Sequence, residues 1–140
     1  MKKKLNCILL VDDDRATNFL HSAIVEDTGL TDSIATAESG DRALGYLALC
    51  EETRDTVAAR PIPELIFLDI NMPGMSGWEF LREYDKLLKT QVDKSIMVML
   101  TASPNPDDES MAMSFPLVKE YRRKPLTTDM LEDIVGQYFP

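Results

Sequence analysis

The chain has 140 residues, 44% hydrophobic and 28% charged, which fits one globular domain with a single core. With 15 Lys and Arg against 24 Asp and Glu, the net charge of −9 disfavours nucleic acid and anionic membranes, whose phosphates would be repelled. No apolar run approaches the roughly 18–20 residues of a membrane span, and Met1-Lys2-Lys3-Lys4 leads only into Cys7–Val11 before Asp12-Asp13-Asp14, so neither an anchor nor a secretory signal is expected and the chain reads as cytoplasmic.

Leu5–Val11 is apolar apart from Asn6, the pattern of a strand buried on both faces. Residues 14–27 read as a helix with Phe19, Leu20, Ala23 and Ile24 on its inner stripe, ended by Gly29. His21 falls near the exposed side of that helix and carries no ligand role, whereas Asp14 reads as its cap. A short strand follows over Ser33–Ala37, and Ser39 caps a second helix with Ala43, Leu44, Leu47 and Ala48 inward. Glu51–Pro63 is polar, closes on Pro61-Ile62-Pro63 and forms a long connection rather than a domain linker. Glu64–Asp69 is an apolar strand ending in an acid, and Pro73-Gly74 marks the loop after it. Ser76-Gly77-Trp78-Glu79 fits a capping box that opens a third helix through about Lys89. Ser95–Leu100 is the fourth strand, and Asn105-Pro106 opens the fourth helix with Pro at its first position. Leu117–Arg122 is the fifth strand, and Thr127–Tyr138 closes the chain as a helix with Met130, Leu131, Ile134, Val135 and Tyr138 on one side. Cys7 and Cys50 sit within apolar patterns and read as buried free thiols, and Trp78 reads as packing.

Five strand–helix units imply the α/β class: a doubly wound, five-stranded parallel sheet. Order 2-1-3-4-5 is among the few topologies that right-handed crossovers permit, and it places ligands beyond the C-terminal strand ends. Those ends carry Asp12-Asp13, Asp69 and Thr101, with Lys124-Pro125 after the fifth strand. Three carboxylates converging on one cleft repel each other unless a cation joins them. Mg²⁺ suits such a site, with Asp13 and Asp69 as direct ligands, Asp12 acting through water and a backbone carbonyl just after Asp69. A central carboxylate can also attack a phosphoryl group, with the Lys124 ammonium and the Thr101 hydroxyl meeting its charge.

In these residues the chain resembles the response-regulator receiver domains of two-component signalling, which share the flavodoxin-like fold of the chemotaxis receiver. The matching stretches are Leu9–Asp13, Leu65–Gly77, Met99–Ser103 and Lys124-Pro125-Leu126, so the likeness spans about residues 5–138. It implies one receiver domain over residues 1–140, with no output domain. It implies that Asp69 accepts a phosphoryl group from a sensor histidine kinase or a histidine phosphotransfer protein. Asp12, Asp13 and Asp69, with the Asn71 backbone carbonyl, would hold Mg²⁺. Thr101 and Lys124 would contact the phosphoryl group, Ala102 would leave it room, and Tyr121 would swing inward as Thr101 moves. A cis Lys124-Pro125 peptide is expected, and Asn71 and Ser103 would tune the lifetime of the phosphorylated form. The surface of the fourth helix, fifth strand and fifth helix would then bind an unidentified target or a second copy of the chain. Relay of phosphate between kinases is the variant reading.

The chain departs from the family pattern in three places. The Glu51–Pro63 connection is longer than usual, as in short phytochrome-linked receivers. Ser114-Phe115-Pro116-Leu117 stands where a small residue is usual, and Glu120, Arg122 and Arg123 suit an exposed edge strand. The rival enzymatic reading is a phosphatase of the haloacid-dehalogenase type with Asp12 as nucleophile, but its second acidic pair would be Glu132-Asp133, which falls mid-helix. A receiver used for binding alone is the third reading.

Overall fold

A computed structural model describes residues 4–72, 74–87, 95–102 and 104–140. Its elements are β1 (Leu5–Val11), α1 (Arg15–Thr28), β2 (Thr31–Ala37), α2 (Gly40–Glu52), β3 (Leu65–Asp69), α3 (Gly77–Leu87), β4 (Ile96–Thr101), α4 (Pro106–Met113), β5 (Val118–Arg123) and α5 (Thr128–Tyr138). All strand pairs are parallel, in the order β2-β1-β3-β4-β5. This is the doubly wound α/β class that the strand and helix patterns imply, in the flavodoxin-like order that the resemblance implies. The expected end of the third helix, near Lys89, lies outside the described residues.

Alternation along the strands divides the core into two layers. Leu9, Val11, Ile66, Leu68, Met97 and Met99 pack with Ala43 and Leu47 of α2, Phe80, Leu81 and Tyr84 of α3, and Ala112 of α4. Ile8, Leu10, Leu65, Phe67, Val98 and Leu100 face Val25 of α1 and Leu131, Ile134 and Val135 of α5. The helix starts are capped by side chains that satisfy otherwise unpaired N–H groups: Asp14 for α1, Ser39 for α2, Asn105 for α4 and Thr127 for α5.

The inner face of α1 differs from the expected one. Phe19 is 78% and Leu20 51% exposed, Ala23 is exposed, and the buried residues are Asn18, His21 and Val25. His21, expected on the exposed side, is only 3% exposed. Two stripes at helical spacing compete on this helix. The polar one turns inward because its side chains reach backbone groups of neighbouring elements: Asn18 Nδ2 donates to the Asp12 and Ala37 carbonyls, and His21 Nε2 accepts from the Leu126 N–H.

The 51–63 connection is tied down at its far end. Pro61 O accepts from the Tyr46 hydroxyl (3.3 Å) and the Cys50 thiol (3.7 Å), and the Glu64 N–H donates to Cys7 O (3.0 Å). Cys7 and Cys50 are free and buried. Ser114-Phe115 forms a turn in which Phe115 N–H donates to Ala112 O and Val118 N–H to Phe115 O, and the Phe115 ring stacks on Trp78 with centroids 6.4 Å apart. β5 lies at a sheet edge with a register shift between Met97 and Val98, and Arg122 bridges Glu120 and Asp133 there.

Gly77 sets the path from β3 into α3. Its N–H donates to Ile70 O (3.0 Å), and an added Cβ would stand 2.9 Å from Ile70 Cα and 3.0 Å from Asp69 O. Backbone cannot retreat as a flexible side chain can, so Gly77→Ala is expected to lower stability by about 2 kcal/mol in urea denaturation. Gly45→Ala is the control: its Cβ meets nothing within 4 Å inside α2, so the midpoint should rise, by about 0.5–1 kcal/mol in stability.

Candidate functional site

Because β1, β3, β4 and β5 are neighbours, the residues at their C-terminal ends meet at one edge of the sheet. The Asp12 N–H donates to Ala37 O (3.1 Å), continuing the ladder one residue past β1. Its Oδ1 accepts from the Asp14 N–H at 2.9 Å and its Oδ2 from Lys124 Nζ at 2.6 Å. Asp69 is the last residue of β3; its Oδ1 accepts from the Asn71 N–H at 3.3 Å, and its Oδ2 lies 3.4 Å from Lys124 Nζ. Asp12 and Asp69 are buried and Asp13 is exposed, and one carboxylate oxygen from each of the three lies within 4.8 Å of the others.

Lys124 is set by its backbone as well as its charge. Its N–H donates to Thr101 O at 2.8 Å, joining the end of β5 to the end of β4, and the Lys124–Pro125 peptide is cis. Burial works against the Lys124 cation, but its hydrogen bond to Asp12 and the Asp69 charge outweigh it and raise the pKa. Burial raises the Asp69 pKa, and Asp12 adds to the rise while Lys124 opposes it. One ammonium against three carboxylates leaves the cluster net negative. All-oxygen donors with excess negative charge suit a hard divalent cation such as Mg²⁺.

The remaining candidate residues lie around this cluster. Thr101 is buried at the end of β4, and Ala102 is exposed just beyond it. Asn71 and Pro125 are exposed. Tyr121 is half-buried, packs against the core layer of α2, α3 and α4, and its hydroxyl accepts from the Asn105 N–H at 3.2 Å. Ser103 lies outside the described residues. Asn18 and His21 beneath the site escape a sequence reading, because the apolar stripe beside them carries the stronger signal of burial.

The family model for the response regulator receiver domain matches residues 8–135. The chain belongs to this family. The receiver domain is 32% identical over 130 residues to a probable methanogenesis regulatory protein, FilR2, of Methanothrix harundinacea, covering 93% of this chain and 79% of that protein. It superimposes on a two-component response regulator from Cytophaga hutchinsonii with a TM-score of 0.84 at 32% identity, over 96% of this chain and 97% of the other. The bacteriophytochrome response regulator RtBRR superimposes with a TM-score of 0.72 at 28% identity, over 94% of this chain and 76% of that one. Receiver domains are signalling modules of two-component systems. Among the described residues, no helix of this receiver domain is long and apolar enough to cross a membrane.

Proposed function

We propose that this receiver domain is a cytoplasmic switch that accepts a phosphoryl group on Asp69. The observation that carries this reading is the placement of the Asp69 carboxylate, buried at the end of β3, 3.4 Å from the Lys124 ammonium and beside Asp12 and Asp13. An Asp69 oxygen attacks phosphorus of a phosphohistidine; the new O–P bond forms as the N–P bond breaks, and the bonding pair leaves on the imidazole nitrogen. The donor is a sensor histidine kinase or a histidine phosphotransfer protein. Asp12, Asp13 and Asp69, with the Asn71 backbone carbonyl, would hold Mg²⁺, which when bound neutralises charge on phosphoryl oxygens. Lys124 supplies a cation to the incoming phosphoryl group, the Thr101 hydroxyl donates to it, and Ala102 leaves room for it. Asn71 and Ser103 tune its lifetime.

Output follows from Tyr121. Swinging inward toward Thr101 costs Tyr121 its hydrogen bond to Asn105, the N-cap of α4, so the start of α4 loses a tether to β5 as the switch acts. The α4-β5-α5 surface then meets a protein target or a second copy of the chain.

The test is intact mass after incubation with acetyl phosphate. Gain of one phosphoryl group with Mg²⁺, abolished by EDTA, is expected; a mass unchanged with both acetyl phosphate and a phosphorylated histidine protein would sink the reading.

The exposed Phe19-Leu20 face of α1 suits the docking of the donor protein. Phe19 and Leu20 lie in the second turn of the helix that Asp14 caps beside the Asp12-Asp13 pair, and they offer apolar surface to a donor that approaches Asp69 from the α1 side. Phe19→Ala is expected to slow transfer from a phosphorylated histidine phosphotransfer protein by about tenfold. Acetyl phosphate, which needs no docking surface, should label both forms alike, and equal slowing with both donors would remove this role.

A further inference from the structure

The turn between β5 and α5 has few ways to hold itself in place. The Lys124 N–H is bonded to Thr101 O at 2.8 Å, and Pro125 has no N–H. The next donor is the N–H of Leu126, a residue wholly buried against α5, and its acceptor is His21 Nε2 at 3.2 Å. α5 then starts behind its own cap, the Thr127 hydroxyl, which accepts from the Met130 N–H at 3.1 Å. The imidazole on α1 is thus the acceptor for the first backbone donor beyond Lys124.

Two polar side chains, one helical turn apart, act on this face of α1. Asn18, three residues before His21, donates Nδ2 to the carbonyls of Asp12 (2.9 Å) and Ala37 (3.2 Å). The same helix face therefore grips the backbone at both ends of the 2.6 Å Lys124–Asp12 ion pair, whose partners are 112 residues apart in the chain. Among the described residues, Asn18 Oδ1 is buried without a partner, a cost that a purely packing face would avoid. Only a neutral imidazole free at Nε2 can accept the Leu126 N–H. Burial keeps His21 below its ordinary pKa; Asp12 opposes this and Lys124 reinforces it.

We propose that His21 is a positioning residue for phosphoryl acceptance: by accepting the Leu126 N–H it fixes the turn after Lys124 and so aims the Lys124 ammonium between Asp12 and Asp69. The inference rests on Asp69 being the phosphoryl acceptor. Lys124 has a long, flexible side chain, so its aim depends on where its backbone is held. Two tethers hold that backbone, one to β4 through Thr101 and one to α1 through His21.

The experiment compares wild type, His21→Leu and His21→Gln. Leucine fills the space without an acceptor; glutamine offers a carbonyl oxygen in its place. His21→Leu is expected to slow labelling by acetyl phosphate about tenfold, and His21→Gln to recover most of that loss. Mg²⁺ affinity by calorimetry should stay within about twofold of wild type in both, because neither variant removes a carboxylate. Equal rates in all three proteins, or equal slowing in both variants, would overturn the inference while leaving Asp69 as acceptor. A wild type that takes no phosphoryl group from any donor would overturn both readings together. Amide exchange of wild-type Leu126 provides a check that needs no variant: slow exchange is expected, and exchange at the rate of an open turn would overturn the tether even if His21→Leu fails to fold.

Discussion

Asp69→Asn takes no phosphoryl group from acetyl phosphate in the presence of Mg²⁺, a loss of at least about 10³-fold read by intact mass. The amide nitrogen is no nucleophile, and the amide oxygen lacks the negative charge that attacks phosphorus. The neighbouring carboxylates do not substitute. Asp12 is engaged at both oxygens, by the Asp14 N–H and by Lys124, and Asp13 lies on the exposed side of the cluster. The variant stays folded, because the substitution removes a charge that burial and Asp12 already disfavour, as the raised Asp69 pKa records. Loss of labelling with a melting temperature no lower than that of wild type is therefore the expected pair of results. Labelling that survives Asp69→Asn and vanishes with Asp12→Asn would move the nucleophile to the end of β1 and revive the phosphatase reading.

Lys124→Ala separates stability from chemistry. Lys124 is the cation paired with both buried carboxylates, at 2.6 Å from Asp12 and 3.4 Å from Asp69. Removing it leaves two buried anions facing each other, a loss of about 3 kcal/mol, measurable as a lower urea midpoint. The deficit should shrink when Mg²⁺ is added, because a divalent cation replaces the missing positive charge and binds the folded state alone. Phosphoryl acceptance should fall about 10²-fold even in saturating Mg²⁺, since the ammonium aimed at the phosphoryl oxygens is gone. If Mg²⁺ leaves the midpoint of Lys124→Ala no higher relative to wild type, the carboxylates are not the source of the loss.

Much of the molecule can be read from local pattern. The caps Asp14 and Ser39 and the Asn105-Pro106 pair act within three residues of their targets, so local spacing places three helix starts, while Thr127, read as the first residue of the last helix, is its cap. The apolar runs of β1, β3 and β4 admit only strands covered on both faces, which leads to a parallel sheet between helical layers. Once that sheet is ordered, Asp12, Asp13, Asp69, Thr101 and Lys124 fall at its C-terminal edge by counting.

Other features depended on contacts far apart in the chain. The rotation of α1 is not legible locally, because a helix with an apolar stripe beside a polar one has two plausible inner faces. Which one turns inward depends on the acceptors and donors it meets: the carbonyls of Asp12 and Ala37 for Asn18, and the Leu126 N–H, 105 residues away, for His21. Leaving Phe19 and Leu20 in water costs less than leaving those backbone groups unpaired, so hydrogen bonding overrides hydrophobic pattern there. The sequence by itself determined the fold class and the set of charged groups at the strand ends, since both follow from short-range periodicity. Only the tertiary structure decided how Lys124 pairs and which face of α1 stays exposed, because side-chain reach and buried hydrogen bonds are settled between elements, not within them.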